Sequence, residues 1–449
     1  MSPVRPISDT MGITVYLWDP TMPPTPGQHP SQAHWRPCGY LVTSEGPAKG
    51  RFTYFPDYQG PPLDPINLDY RKHPKGAPFI PPPNTLWGVF KDILPGHSGD
   101  RLLGAHFPGY SKLNDMGKLI FMGRQLMKGL LLVPRVIERE NPERYISGIE
   151  YLEILRQKVL QGSLVLDEEN VYGLTSVGGA RDKAAIELRE GEQTRYYIAK
   201  FNHAQDAYDS MVHVEYIGLR WAAVAGIRTP NARVVELPKT RKPVLLVERF
   251  DRGPVPTSKQ ATTVSRAHCL SLKTLLGVDN TGIHRSAADV RDVAVALDKI
   301  GCSREEQDEW IRRIAYMAVA QISDNHLGNF EVMLDPQNQW RLTPAFDLVP
   351  TPGQSPFSTR ICGFSHADGI VNTRFPEVVA RHLKRPQAEV ESLVYGVWEK
   401  LAQHGEDIIA KSGASPADQK MMREILKADR LQACVQSWRD GLTAGPDPR

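Results

Sequence analysis

Ser323-Asp324-Asn325-His326-Leu327-Gly328-Asn329-Phe330, followed at 343–348 by Thr-Pro-Ala-Phe-Asp-Leu, is the stretch on which the reading of this chain turns. An Asp, four residues, an Asn and a later Asp is the order in which a protein-kinase active site carries its base and its magnesium ligands. The flanking sequence suits that use. Ser303–Ser323 reads as a helix, and the strand-like Phe330–Leu334 and Trp340–Leu342 are joined by Asp-Pro-Gln-Asn-Gln, whose Pro and Asn suit a turn. A hairpin there returns Asp347 to the neighbourhood of Asn329, as coordination of one cation requires. Taken singly, each residue is explained by turn chemistry, since Asp and Asn cap turns and helix ends for local reasons. The ordered set asks more, because local chemistry must then supply three spacings at once.

Working upstream, Val244-Leu-Leu-Val-Glu-Arg-Phe-Asp251 is a buried-strand pattern that breaks into charge at Glu248. A hinge between two lobes looks like this, with backbone groups at Glu248 and Phe250 offered to an adenine and Asp251 to a ribose. An edge strand ending in a charged turn fits equally. Lys200, in Tyr-Tyr-Ile-Ala-Lys-Phe, lies near the end of a strand, where a kinase keeps its phosphate-binding lysine, although strand-end lysines are usually solvated. Glu215, on the following helix, is a candidate partner for it, or else a solvated helix-face charge. Thr175-Ser176-Val177-Gly178-Gly179-Ala180 is a small-residue loop whose adjacent glycines let backbone N–H groups approach an anion. It is neither Gly-x-Gly-x-x-Gly nor a Walker A loop, and by itself it reads as a turn.

The composition is that of an ordinary globular protein. The 449 residues, 41% hydrophobic and 23% charged, suffice for two or three domains. A formal charge of +3 is close to neutral at this length and requires no nucleic-acid partner. No run of about 18 apolar residues occurs, and Met-Ser-Pro-Val-Arg-Pro-Ile-Ser-Asp lacks the apolar core of a signal peptide. The cysteines at 38, 269, 302, 362 and 434 are scattered and odd in number, which suits free thiols in a reducing cytoplasm rather than disulfides or zinc.

The remaining pattern sets the expected architecture. Residues 13–18, Gly39–Val42 and Arg51–Phe55 are strand-like. Pro61–Pro83 reads as a wandering surface loop, and Leu86–Leu94 as a helix start with Asn84 as cap. Residues 13 to about 137 thus form a small α+β domain. Tyr145–Val159 reads as a helix. Tyr196–Phe201, Arg233–Leu237 and Val244–Arg249 are strands around the helix Val212–Ala225. Beyond about residue 260 the chain turns mainly helical, through Ala287–Leu297, Glu377–Leu383, Gln387–Gln403 and Ala417–Trp438.

With Ser176–Lys183, Lys200, Val-Glu-Arg-Phe-Asp, the Asp324–Asn329 loop and Leu-Thr-Pro-Ala-Phe-Asp in this order, the chain resembles the HipA family. These are bacterial serine/threonine kinase toxins of type II toxin–antitoxin pairs. The likeness runs over most of the chain, including Gly50-Arg-Phe-Thr-Tyr-Phe-Pro-Asp-Tyr and Phe90-Lys-Asp-Ile-Leu-Pro-Gly near the N-terminus. It implies an α+β protein: an N-terminal subdomain over 13–137, then a two-lobed kinase-like fold. Its N-lobe would span 140–255 and its mainly helical C-lobe 256–440.

By resemblance, Asp324 is the catalytic base, and Asn329 and Asp347 hold Mg2+. Ser176, Val177, Gly178 and Gly179 form the loop over the ATP phosphates, which Lys200 also contacts. Glu248 and Phe250 bind adenine, and His326 sits close to the nucleotide. Ser176 matches the serine that such kinases phosphorylate on themselves. A phosphate there adds roughly −2 of charge to a phosphate-holding loop and would silence the enzyme. The expected partners are a protein substrate, such as a translation factor or an aminoacyl-tRNA synthetase, and a small helix-turn-helix antitoxin through which DNA is met indirectly. The family's catalytic loop often reads Asp-Gly-His-Ala-Lys-Asn, whereas this chain has Asn325 for the glycine and Leu327-Gly328 for Ala-Lys. Two alternatives stay open: a kinase of a small metabolite or lipid hydroxyl, and a catalytically weak binding or repressor-partner module.

Overall fold

A computed structural model describes residues 12–19, 34–42, 50–82, 85–122, 128–134, 146–150, 152–154, 183–202, 210–254, 264–278, 288–351, 355–367 and 369–443. The chain divides into two compact units. One gathers Met1–Phe201, Val235–Leu270 and Met333–Gln339, and the other Asn202–Val234, Ser271–Val332 and Trp340–Arg449.

The first unit opens with an antiparallel sheet of β1 (Gly12–Trp18), β2 (Trp35–Val42), β3 (Arg51–Tyr54) and β4 (Leu130–Pro134), in the order β3-β2-β1-β4. Ile13, Val15 and Leu17 alternate inward along β1, as the two-residue period of a strand requires. The ladder between β1 and β2 shifts after Val15, where Tyr16 faces Pro37. Proline has no N–H to donate, and the bulge accommodates it.

The Pro-rich stretch over 61–83 is not the surface loop that its composition suggests. Leu63, Leu68 and Phe79 are buried. The buried Tyr54 hydroxyl accepts from the Leu63 N–H at 2.8 Å and donates to the Leu68 carbonyl at 3.0 Å. The rings of Tyr54, Tyr58 and Tyr70 pack with centroids 4.8 to 5.6 Å apart. Proline keeps the segment out of regular structure, while aromatic burial still fixes it. The helix expected from Leu86 is one turn, Gly88–Lys91, with Trp87 at its N-cap, and Asn84 lies outside the described residues.

A second sheet has the order β5-β6-β7-β9-β8, from β5 (Ile146–Ser147), β6 (Lys183–Glu190), β7 (Gln193–Phe201), β8 (Ala232–Glu236) and β9 (Pro243–Glu248). Glu190 faces Gln193 across a two-residue loop, and Gly191 takes the φ of 63° that so tight a turn needs. The helix expected over Tyr145–Val159 starts instead as strand, because Ile146 finds a parallel ladder partner in Ile186. Helical turns follow at 149–150 and 152–154, and the rest of that stretch lies outside the described residues. Two short strands, β10 (Arg252–Pro254) and β11 (Val264–Arg266), pair with each other. Then β12 (Cys269–Ser271), β13 (Glu331–Leu334) and β14 (Trp340–Leu342) form a three-stranded sheet in that order.

Helices dominate the second unit. The helix Arg304–Ala320 starts at Ser303, whose hydroxyl accepts from the Glu306 N–H, and stops at Gln321, which turns to φ 51°. Two indole N–H groups tie the long helix Gln387–Lys411 to its neighbours. Trp398, on this long helix, donates to the Ala315 carbonyl at 3.3 Å. Trp221, on Met211–Val224, donates to Gly405 at 3.0 Å. The stretch Ala417–Trp438, expected as one helix, is two: Pro416–Leu426 and Ala428–Thr443, separated by Lys427 at φ 45°. Among the described residues no helix is long and apolar enough to cross a membrane.

Candidate active site

The loop that leaves Gln321 is anchored from below and open above. Ile322, Asn325 and Leu327 are buried, whereas the Asp324 side chain is 72% exposed. Asn325 points inward and pairs with the backbone of Thr359: its Nδ2 donates to the Thr359 carbonyl and the Thr359 N–H donates to its Oδ1, both at 2.9 Å. Alternation of buried and exposed positions therefore turns Asp324 outward. His326 caps the short 3-10 turn Leu327–Asn329, its Nδ1 accepting from the Gly328 N–H at 3.1 Å. With Nδ1 accepting, the proton of the neutral ring sits on Nε2, 3.9 Å from Asp324 Oδ1. Asn329 Nδ2 donates to the Asp324 carbonyl at 2.9 Å, which leaves Oδ1 as the end of the amide available to a cation.

Asp347 reaches the same region by a different route. The hairpin of β13 and β14 carries the chain to Thr343, whose N–H donates to the Glu331 carbonyl at 3.0 Å. The Ala345 N–H then donates to the Arg228 carbonyl at 2.7 Å. Half-buried Asp347 takes φ 51°, a conformation that Asp tolerates better than most residues. A small cavity is lined by Met317, Asn329 and Phe330 together with Ala345, Phe346 and Leu348, so the segments that carry Asn329 and Asp347 border one space. The helix Met211–Val224 packs tightly here: an added Cβ on Gly218 would stand 2.0 Å from the Leu348 carbonyl oxygen.

The donor set suits a hard divalent cation. Asn329 and Asp347 offer oxygen, and magnesium is commonly held by one or two protein ligands, with phosphate and water completing its shell. Among the described residues no group of three or more His, Cys, Asp or Glu side chains gathers as a metal site, and a two-ligand magnesium site needs none.

Of the other sequence candidates, Lys200 and Glu248 lie in the first unit on the adjacent strands β7 and β9. Lys200 on β7 is paired with Lys183 on β6 and with Leu245 on β9. Lys183 was not singled out from sequence. Two lysines directly opposite in an antiparallel ladder lie on one face and concentrate positive charge there. Glu248 closes β9 opposite Tyr197, and its carboxylate accepts from Arg195 Nη1 at 3.0 Å. Phe250 is half-buried in the turn that follows. Asp251 is gripped by Arg249, at 2.9 and 2.8 Å, and by Arg252 Nη1 at 2.7 Å. Burial opposes charge on Asp251, but the Arg249 and Arg252 guanidiniums outweigh it and hold the carboxyl well below its ordinary range. A ribose bond there would use the remaining lone pairs of an already engaged carboxylate. Glu215, in the second unit, is 6% exposed, which removes the solvated-face reading. Ser176, Val177, Gly178 and Gly179 lie outside the described residues.

The model of the HipA-like C-terminal domain matches residues 175–405, just over half of the chain. The chain belongs to the HipA-like family. Among solved structures it is similar to the Shewanella oneidensis MR-1 toxin–antitoxin system HipA in its complex with HipB and operator DNA. The identity is 18%, the match covers 91% of this chain and 96% of that one, and the TM-score is 0.66. That likeness shows the fold, and it agrees with the expected α+β class and helical C-terminal part. The Helicobacter pylori proinflammatory kinase CtkA aligns at 12% identity over 58% of this chain and 94% of that one, with a TM-score of 0.40. A search of the curated proteins found no match.

Proposed function

We propose that this HipA-like chain is a magnesium- and ATP-dependent kinase of serine or threonine hydroxyls on a protein, acting as the toxin of a toxin–antitoxin pair. One observation carries the reading: an exposed Asp324 carboxylate on a buried anchor, beside an Asn329 amide with its oxygen to spare that lines one small cavity together with Phe346 and Leu348, the chain neighbours of Asp347. Membership of the HipA-like family and the fold of the Shewanella HipA support it.

In this reading Asp324 accepts the proton of the acceptor hydroxyl, and its exposure leaves room for a protein substrate to approach. Asn329 and Asp347 hold the magnesium. Bound magnesium supplies charge neutralisation for the transferring phosphate. Lys200 and Lys183 attract the nucleotide phosphates, the backbone at Glu248 and Phe250 receives the adenine, Asp251 meets the ribose, and His326 orients beside Asp324. Ser176, Val177, Gly178 and Gly179 cover the phosphates, and phosphorylation of Ser176 is the off switch. The chain is organised as an N-terminal subdomain over 13–137, an N-lobe over 140–255 and a C-lobe over 256–440. Its partner is a small helix-turn-helix antitoxin, through which it meets DNA in the cytoplasm.

Radiolabelled ATP with purified parent protein and Asp324→Ala, followed by phosphosite mapping, tests the assignment. The parent labels serine or threonine, Ser176 among them, and the variant binds nucleotide without transferring phosphate. Equal transfer by both proteins would overturn the base. Label that appears only on a metabolite or lipid would move the acceptor.

A further inference from the structure

A charge network, buried at Glu306, Glu309 and Arg313 and half-buried at Arg228, grips the segment that leads to Asp347. Arg313 and Glu309, one helical turn apart on Arg304–Ala320, are 3% and 2% exposed. Arg313 Nε donates to Glu309 Oε1 at 3.0 Å and its Nη2 to the Thr343 carbonyl at 2.5 Å. Glu309 Oε1 also accepts the Arg228 N–H at 3.1 Å. Arg228 Nη1 donates to Glu306 Oε1 at 2.7 Å, and Glu306 Oε2 accepts the Leu342 N–H at 2.8 Å. The Arg228 carbonyl accepts the Ala345 N–H. Leu342, Thr343 and Ala345, the residues immediately before Phe346-Asp347, are thus each held by a backbone bond that ends on this network.

We infer that Arg313 and Glu309, with Arg228 and Glu306, are positioning residues that set the metal affinity of Asp347 by fixing the backbone of 342–345. This rests on the reading of Asp347 as a magnesium ligand. Interior packing alone needs no ion pair at Arg313 and Glu309, and a guanidinium–carboxylate pair taken out of water is costly to keep, whereas the Arg228 guanidinium that meets buried Glu306 stays partly exposed. What the charged groups add is direction. A guanidinium aimed at the Thr343 carbonyl and a carboxylate aimed at the Leu342 N–H define where the chain runs, which an apolar contact does not do. A carboxylate two to five residues beyond such anchors is held much as outer partners hold the ligands of other metal sites.

The test is binding of manganese(II) with ADP, followed by electron paramagnetic resonance, for the parent, Asp347→Asn and the double variant Glu309→Gln/Arg313→Met. The double variant removes both charges, keeps the volume and keeps an acceptor for the Arg228 N–H. It should bind manganese about 10- to 100-fold more weakly, with its metal-free ADP affinity and unfolding midpoint close to the parent's. Manganese affinity equal to the parent's, with Asp347→Asn impaired, overturns the inference and leaves the metal ligand standing. If Asp347→Asn also binds as the parent does, the reading of Asp347 fails and the inference falls with it. Arg313→Lys is measured alongside. It keeps the charge with a shorter reach, and it carries the same decision should the double variant not fold.

Discussion

Asn325 and Thr359 hold each other by two reciprocal hydrogen bonds of 2.9 Å, side-chain amide to peptide, with both residues buried. Asn325 stands where the family's loop often has glycine. Here that departure is the loop's anchor, because no glycine can satisfy the Thr359 N–H and carbonyl together. Asn325→Ala or Asn325→Gly leaves those two buried groups without their partner. The expected cost is about 2 to 6 kcal/mol, since each of the two unsatisfied buried groups costs roughly 1–3 kcal/mol. Urea unfolding should show a lower midpoint at unchanged slope. Phosphate transfer should fall further than stability alone requires, because Asp324 is the residue immediately before Asn325.

The two facing lysines lead to a binding prediction. Lys200→Met should weaken ATP binding roughly 10- to 100-fold, as loss of a charge-assisted bond of about 1.5–3 kcal/mol implies. Lys183→Met should do so to a similar or smaller degree, since its register partner is Lys200. Isothermal titration at two salt concentrations checks both, and the difference between parent and variant should shrink at high salt. Unchanged affinity in Lys200→Met would remove it from the phosphate site.

Much of this arrangement is legible in the sequence because it is local. The Ser303 cap, the apolar period of the following helix, the turn between β13 and β14 and the apolar Val244-Leu-Leu-Val run all speak within one window of residues. What stays hidden depends on distant partners. Glu309 and Arg313 have the spacing of a solvated surface pair, and only the fold buries them. The Pro61–Pro83 segment reads as exposed until Tyr54 and its aromatic neighbours are placed against it. The break at Lys427 carries neither Gly nor Pro, so nothing in its own residues announces it. Lys183 shares the fate of the network: its meaning comes from the register with Lys200, which a linear reading does not supply.

His268 makes stability depend on pH. It is 2% exposed, and its Nε2 donates to the Leu63 carbonyl at 2.8 Å, tying β12's approach to the Pro-rich segment. Burial lowers its pKa from 6.5 to about 4, against the bond to Leu63, which favours the charged form. The unfolded chain therefore takes up the proton at higher pH than the folded one. The contribution is whole above about pH 6.5 and is lost as pH falls from there towards about 4, amounting to on the order of 3 kcal/mol. His268→Gln keeps a donor for Leu63 and removes the titration. Unfolding free energies at pH 7 and pH 4.5 should converge more in this variant than in the parent. An identical pH dependence in both would exclude His268 as the cause.

Gly218 separates packing from helix propensity. An exposed helix glycine replaced by alanine ordinarily gains about 1 kcal/mol. Here the new methyl would stand 2.0 Å from the Leu348 carbonyl oxygen and 2.9 Å from Pro350 Cδ, so backbone must move. Overpacking of that kind costs typically 1–3 kcal/mol, enough to cancel or reverse the propensity gain. The Gly218 carbonyl also accepts the Tyr316 hydroxyl at 2.6 Å, which restrains the helix and leaves the segment at Leu348 to give way. Since Leu348 follows Asp347 directly, the displacement falls on the proposed metal ligand. Gly218→Ala should show a modestly lower unfolding midpoint with a clearly weakened magnesium dependence of transfer. A variant more stable than its parent, with normal magnesium dependence, would mean that the contact relaxes elsewhere and that Asp347 does not feel it.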